Sequence, residues 1–414
     1  MNDPIVVSGI GVVSAAGVGV DAFWTSALSG RAACSFNDLF PLGEGVSRAA
    51  GLIRDFEPET AFRWEGPAAG LEQDRLCGIA RAAIHEALES AGLVGPESVK
   101  PLAETALYVS TAIGPMGTME KAVAARRDGR VGGYSLKAFS LNRFVAHLVQ
   151  HSGAGGAYAL IPTGCTGGCD ALGYAIAAIR SRVTRRAIVG AFEAPVTPLV
   201  VAAFARINAT STRECLPEEA SCPFDIGRDG FVLGEGGGAI VVETLSAALE
   251  RGAQPLAVVS GYGSVSSAFH MTDIQASGEP IARSIRSALI DSGLNADAID
   301  HINLHGSSTP QNDLAETNAV MDVFGPRGAG IPVTSLKSQT GHALAAANGV
   351  EIVASVLSLR NGAIPPTANQ RNRDPACNLN VVDQPEYVTV NHILKTASGF
   401  SGIHSAIILS RYEV

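Results

Sequence analysis

Two stretches far apart in the chain open in the same way. Ile5–Gly11 reads I-V-V-S-G-I-G and Ala257–Gly263 reads A-V-V-S-G-Y-G, each a β-branched run followed by glycines that predict the end of a strand. Downstream of each comes a segment apolar at helical spacing and stopped by glycine: I-A-R-A-A-I-H-E-A-L-E-S-A-G-L from Ile79, and I-A-R-S-I-R-S-A-L-I-D-S-G-L from Ile281. A further strand follows each helix, A-L-Y-V-S-T before Gly114 and I-N-L-H-G-S before Thr309. Strands and helices alternating in duplicate predict an α/β protein of two similar halves, with largely parallel sheets buried by helices on both faces. The polar stretch L-E-R-G-A-Q-P, around Glu250–Pro255, sets the border, dividing the chain into 1–252 and 253–414. Internal repeats of roughly 20 to 50 residues, which would mark a propeller or solenoid, are not visible.

A length of 414 residues with 46% hydrophobic and 17% charged positions is consistent with two domains and a large core. The opening M-N-D-P-I-V-V-S-G carries an acid and a proline where a secretory signal carries basic residues, and no run of about 18 apolar residues occurs. A cytoplasmic protein with no membrane partner is expected. Seven cysteines, without paired C-x-x-C spacing, argue against a disulfide framework or structural zinc and suit a reducing compartment. The net charge of −9 disfavours nucleic acid as a partner. Two local basic clusters, Arg180, Arg182, Arg185 and Arg186 in one and Arg126, Arg127 and Arg130 in the other, read either as solvated surface or as a docking patch for an acidic carrier protein. The glycines of G-I-G-V-V-S-A-A-G are wrongly spaced for a dinucleotide site.

Cys165 lies in A-L-I-P-T-G-C-T-G-G-C-D-A-L-G-Y-A-I-A-A-I, which predicts a strand ending at Pro162, a tight turn and a buried helix. A thiol at a helix start faces unpaired amides and the positive end of the dipole, which favour thiolate and predict a nucleophile. A small buried core residue is the alternative. His305 and His342 both occupy glycine-flanked loops after predicted strands, where a side chain can approach a substrate closely. If the halves face each other, these three residues converge at the junction, where binding sites are common.

Five motifs in order, P-T-G-C-T-G-G-C-D-A-L-G-Y-A, P-F-D-I-G-R-D-G-F-V-L-G-E-G-G-G, H-G-S-S-T-P-Q-N-D-L-A-E-T-N-A, S-L-K-S-Q-T-G-H-A-L-A-A-A-N-G-V-E and I-P-P-T-A-N, resemble the beta-ketoacyl synthase family over nearly the whole chain. Within it, T-G-C-T-G and S-G-F-S-G-I-H-S-A are most similar to the catalytic ketosynthase subunit of bacterial type II polyketide synthases. The resemblance implies a thiolase-like fold, two α/β halves in five α-β-α-β-α layers with the nucleophile at the start of a central helix. It implies a decarboxylative Claisen condensation between an acyl chain on Cys165 and a malonyl unit on the phosphopantetheine arm of an acyl carrier protein. No metal or organic cofactor is needed, because loss of carbon dioxide itself generates the carbanion.

By the same resemblance, the backbone amides of Cys165 and Phe400 meet the tetrahedral oxyanion, and His305 and His342 donate to the enolate. Lys337 pairs with Glu351 and fixes the histidine loop, Asp313 and Glu316 hold the H-G-S-S-T loop, and Ser307 and Thr309 contact the pantetheine arm. Phe400 gates the passage between the malonyl site and the acyl pocket. Ser401 stands where the family usually has glycine, and His404 replaces an amide-bearing residue, so the gate's mobility and hydrogen bonds are expected to differ. The family association is a dimer, either of identical chains or with a homologous chain-length factor. The alternatives are a fatty-acid elongating synthase and a non-catalytic chain-length factor, which normally lacks the cysteine. A Cys-His hydrolase is a third, with one histidine as base.

Overall fold

The computed structural model describes residues 3–54, 56, 74–94, 102–127 and 140–413. The first half runs β1 (Ile5–Ser14), β2 (Gly17–Val18), α1 (Val20–Ser29), β3 (Ser35–Phe36), β4 (Ala49–Ala50), α2 (Arg75–Ser90), β5 (Ala106–Ser110) and α3 (Met116–Arg127). It continues through α4 (Leu141–Ser152), β6 (Tyr158–Leu160), α5 (Gly167–Arg180), β7 (Arg186–Glu193), α6 (Pro198–Arg206), β8 (Gly236–Thr244) and α7 (Leu245–Glu250). The second half runs β9 (Ala257–Ser266), α8 (Glu279–Ser292), β10 (His301–Asn303), α9 (Pro310–Phe324), β11 (Pro332–Thr334) and α10 (Lys337–Thr340). It closes with α11 (Ala345–Asn361), β12 (Ala363–Ile364), β13 (Asn380–Val381), β14 (Glu386–Tyr387), β15 (His392–Gly399) and β16 (Ile403–Ser410).

The strand order β1-β8-β7-β5-β6 in the first half is repeated as β9-β16-β15-β10-β11 in the second, with β13 added at the edge. The halves meet where β1 and β9 pair antiparallel over Ile5–Val7 and Ala257–Val259. The repeated openings read from the sequence are β1 and β9, the repeated helices are α2 and α8, and the strands that follow are β5 and β10. The sheets are mixed, not largely parallel: β5, β6 and β7 run parallel, as do β10, β11 and β15, whereas β1-β8, β7-β8, β15-β16 and β16-β9 are antiparallel. The apolar runs reflect burial of both faces, which does not depend on strand direction.

The helices form three layers around the sheets. α2 covers the outer face of the first sheet, α8 that of the second, and α5 and α11 pack together between them. Every residue of α11 from Ala345 to Leu359 is buried, as befits a helix with no solvent face. The glycines of the repeated opening have a different purpose from the one the sequence predicts. β1 continues to Ser14 and β9 to Ser266. A Cβ at Gly9 would lie 2.1 Å from the Ala87 carbonyl of α2, and one at Gly261 would lie 2.3 Å from the Ala288 carbonyl of α8. The glycines therefore let each outer helix settle directly onto its strand.

That close approach predicts a stability effect remote from any functional group. Gly9→Ala should displace α2 and destabilise the protein by about 1–3 kcal/mol, read as a lower denaturant midpoint in urea unfolding. An unchanged midpoint would contradict the packing described.

Candidate active site

The nucleophile turn is assembled by both halves. β6 ends at Leu160, two residues before the expected Pro162, and Gly164 at φ 62° leads into a single 3-10 turn, Gly164–Thr166, ahead of α5. α5 can begin here because Gly167 lies against Ser110, where a Cβ would come within 1.9 Å of the hydroxyl oxygen. In the first turn of α5 the Asp170 carboxylate accepts hydrogen bonds from the Thr163 (2.5 Å), Thr166 (2.7 Å), Tyr262 (2.8 Å) and Ser405 (2.5 Å) hydroxyls. Tyr262 and Ser405 belong to β9 and β16, so one carboxylate fastens the turn to the second half. Asn348 of α11 adds a hydrogen bond from its amide to the Cys165 carbonyl.

Cys165 packs against an apolar cluster that includes Phe231, Leu344, Val196 and Phe204. Burial pushes its thiol up to about 12; the positive field of Lys337 opposes this, the nearby Glu193 adds to it, and the backbone amides of Cys165 and Phe400 oppose it again. The helix start therefore does not deliver a standing thiolate, contrary to the expectation from sequence: desolvation outweighs the dipole and the amides. Those two amides are nevertheless the pair expected to form the oxyanion site, and both address the sulfur. Glu193, at the end of β7, is fully buried and pushed up to about 8 by desolvation, so it is neutral at pH 7 even while the Ala112 amide and Thr111 hydroxyl hydrogen-bond to it.

His305 follows β10. Its amide donates to Glu316 (2.8 Å) and to the Thr396 hydroxyl (3.1 Å), and the Gly306 amide donates to the other Glu316 oxygen (2.6 Å). From below, the Lys337 ammonium donates to the His305 carbonyl (2.7 Å) and to Glu351 (2.5 Å). A second lysine, Lys395 of β15, meets the other oxygen of Glu351 at 2.9 Å. Lys337, Lys395, Glu351 and Glu316 are all 2% exposed or less. His342 is placed by a backbone ladder to the segment after Gly230, its amide donating to the Val232 carbonyl (2.7 Å) and its carbonyl accepting from Gly234 (3.0 Å).

The two imidazoles meet edge to face, their centroids 5.1 Å apart, and the series continues from His342 to Phe231 (5.2 Å), Phe231 to Phe204 (5.4 Å) and Phe204 to Phe400 (6.4 Å). One line of rings thus joins the histidine pair to Phe400. Burial first, then Lys337, holds both imidazoles well below the usual histidine range, so each is neutral and carries a single N–H at pH 7. Their Nδ1 atoms are buried and have no protein hydrogen-bond partner.

The supporting residues are equally well defined. Thr309 caps α9, accepting from the Asn312 amide, and its hydroxyl lies 2.9 Å from that of Ser307. Asp313 accepts from the Phe224 amide (2.9 Å) and faces Arg228 at 3.7 Å. Ser401 adopts φ 67°, the left-handed region its usual glycine would favour. Its amide donates to the Met271 carbonyl (2.6 Å), and Gly402 accepts from Ser267 (2.7 Å). His404 finds a partner in the Ser398 hydroxyl at 3.1 Å.

All these groups stand at the carboxyl ends of strands: Cys165 after β6, Glu193 on β7, His305 after β10, Lys337 and His342 after β11, and Phe400 after β15. Residues 2–248 match the family model described as beta-ketoacyl synthase, N-terminal domain, and residues 256–371 match the C-terminal domain model. The chain belongs to the beta-ketoacyl synthase family. It is therefore an acyltransferase of the ketosynthase type, with a thiolase-like fold.

Among relatives of this synthase, the tetracenomycin polyketide synthase ketoacyl synthase alpha subunit of Streptomyces glaucescens is 38% identical, over 98% of this chain and 97% of that protein. The 3-oxoacyl-[acyl-carrier-protein] synthase 2 of Synechocystis is 32% identical, over 99% of this chain and 98% of its own. A solved ketosynthase bound to a hexaketide, in complex with its type II polyketide acyl-carrier protein, is 34% identical with a TM-score of 0.89, and each chain is covered in full. The ishigamide ketosynthase/chain length factor is 29% identical with a TM-score of 0.91, again with full coverage of both chains.

Around Cys165, His305 and His342 stand further groups that the sequence reading missed: Glu193, Asn348, Asp170, Phe231 and Lys395. A lysine within the apolar strand H-I-L-K-T-A-S-G was the available signal for Lys395, since a lysine buried on both sides demands a paired carboxylate. Three of the four arginines at and after the end of α5 pair with carboxylates: Arg180 with Asp291 (2.6 Å), Arg185 with Glu250 (2.8 Å) and Arg186 with Glu243 (2.9 Å). This favours paired surface over a docking patch for that cluster. Of the second cluster, Arg130 and the side chain of Arg126 lie outside the described residues.

Two measurements check this description. Glu351→Ala leaves two buried ammoniums without their shared counter-charge and should cost about 3–5 kcal/mol in denaturant unfolding. Alkylation of Cys165 in the free enzyme should accelerate about tenfold per pH unit to at least about pH 10, because its thiolate form is scarce until the raised value is approached. A plateau near neutral pH would show that the dipole wins after all.

Proposed function

We propose that this beta-ketoacyl synthase is the condensing subunit of a type II polyketide system, joining an acyl chain on Cys165 to malonyl units on an acyl carrier protein. The observation that carries the reading is the pair of buried, neutral imidazoles packed on Phe231, whose apolar cluster also holds a thiol addressed by two backbone amides. In the loading step, the Cys165 sulfur attacks the incoming thioester carbon and the thiol proton passes to a neutral imidazole. The amides of Cys165 and Phe400 receive the oxyanion, and the carrier thiol leaves. Attack requires the proton to leave with the approach of substrate, since the free thiol is held protonated.

In the extending step, the bond between the malonyl carboxylate and its α-carbon breaks, carbon dioxide departs, and the electron pair moves into an enolate. His305 and His342 donate to the enolate oxygen, and the α-carbon attacks the acyl carbonyl on Cys165, expelling the thiolate. Each lost donor is worth on the order of 3 kcal/mol in barrier. No metal or organic cofactor takes part in this scheme. Ser307 and Thr309 hold the pantetheine arm, while Lys337 with Glu351, and Asp313 with Glu316, position the histidine loop. The first half, 1–252, supplies the nucleophile and the second, 253–414, the two histidines.

The chain works with an acyl carrier protein and as a dimer, with a homologous chain-length factor or with itself, in the cytoplasm. Similarity to the Streptomyces alpha subunits and to the two solved polyketide assemblies supports this reading. No helix of the described residues is long and apolar enough to cross a membrane. Fatty-acid elongation is the second reading, favoured by the 3-oxoacyl-[acyl-carrier-protein] synthase relatives.

Two variants separate the steps. Cys165→Ala should abolish acyl loading, followed by intact-protein mass, while leaving the fold intact. His305→Ala should still load but release carbon dioxide about a hundredfold more slowly. Mass measurement of carrier-bound products then distinguishes unreduced polyketide from fatty acid. Unchanged loading in Cys165→Ala would refute the assignment.

A further inference from the structure

The loop that carries His305 rests on four buried ions. Glu316 binds its amides, and Lys337 binds its carbonyl and Glu351. Lys395 is the fourth, 0% exposed, on the remaining oxygen of Glu351. The scheme above gives it no task, and a lysine sealed in a sheet loses its hydration for one shared carboxylate. Glu351 is shared by Lys337 and Lys395, one on each oxygen. Among the described residues of this platform, the carboxylate without a direct ion pair is Glu316, whose charge is felt by Lys337 and whose oxygens take the amides of His305 and Gly306, the hydroxyl of Thr396 and the amide of Asn312. The nearby Asp313 faces Arg228, which it shares with Asp374, and burial favours the protonated form of Glu193.

We propose that Lys395 is a positioning residue for decarboxylation: its ammonium shares Glu351 with Lys337 and so leaves charge on Lys337 to offset Glu316, making the platform beneath His305 and His342 neutral when the enolate forms. The inference rests on the condensing function proposed above. With Lys395 present, two ammoniums stand against two carboxylates. Without it, the platform carries one net negative charge in a low-dielectric site where both the malonyl carboxylate and the enolate must be accommodated. Carbon–carbon cleavage delivers its electron pair to the enolate oxygen with no proton or redox partner, so that negative charge is opposed in full by any excess beneath it. Acyl transfer to Cys165 instead spreads its charge onto the amides of Cys165 and Phe400 rather than onto the imidazoles. Lys395 reaches both imidazoles electrostatically, which places it within range of the group they hold.

The test uses the full chain with its carrier protein and measures two rates separately: acylation of Cys165 by intact mass, and carbon dioxide release from the malonyl carrier. Lys395→Met should leave acylation within about twofold and slow carbon dioxide release about a hundredfold. Adding Glu316→Gln, which keeps an acceptor for the loop amides but removes the charge, should recover about tenfold of that loss. Equal slowing of both rates, or no recovery in the double variant, overturns the proposal in favour of plain structural support. Lys395→Gln, which preserves length and polarity, serves if Lys395→Met does not fold; loss of fold in both assigns the lysine to stability and also overturns it. Wild-type protein that releases no carbon dioxide at all defeats the condensing reading itself, and this inference falls with it.

Discussion

One carboxylate, that of Glu351, sits where three segments of the chain must agree. It is carried by α11, a helix enclosed on every side, and an ionised group there is tolerable only because two ammoniums reach it. One comes from α10 and bears on the His305 carbonyl. The other comes from β15, the strand that leads into Phe400. The helix core, the histidine loop and the gate are therefore fixed relative to one another through a single side chain. The neutral imidazoles and the protonated thiol follow from the same burial: the site excludes water, so each titratable group settles in its uncharged form unless a partner stands beside it.

The duplication explains why the reactive groups meet. Cys165 and His342 occupy matching places, Cys165 between β6 and α5 and His342 between β11 and α11, where β6 and β11 correspond in the repeated strand order. Glu193 and Phe400 likewise follow or end matching strands, β7 and β15. Stacking the halves with α5 against α11 brings these strand ends together. Ancestrally similar positions carry different chemistry: a thiol and an amide pair on one side, imidazoles and their ionic platform on the other.

Much of this was legible in the sequence. The repeated strand and helix openings showed through because apolar periodicity records burial directly, and the motif order revealed the family. Strand direction was not legible, since a strand covered on both faces has the same composition whichever way it runs. The glycines of β1 and β9 misled for a related reason: their meaning lies in a helix packed some 80 residues downstream for Gly9, whose nearest obstacle would be Ala87. Cys165 was found by its turn, but its protonation state was not, because the dipole is local whereas desolvation is a property of the assembled core. Lys395 and Asp170 escaped notice because their partners are remote in sequence; Asp170 and Ser405 are 235 residues apart.

The Asp170 carboxylate has a consequence for biosynthesis. Two of its four donors, Tyr262 and Ser405, are translated well after the nucleophile turn. A nascent chain emerging from the ribosome can form the first sheet while its nucleophile turn still lacks its fastening. The turn gains its full fastening only after β16 has been made, so a polypeptide stopped before β16 holds the Asp170 carboxylate with fewer donors.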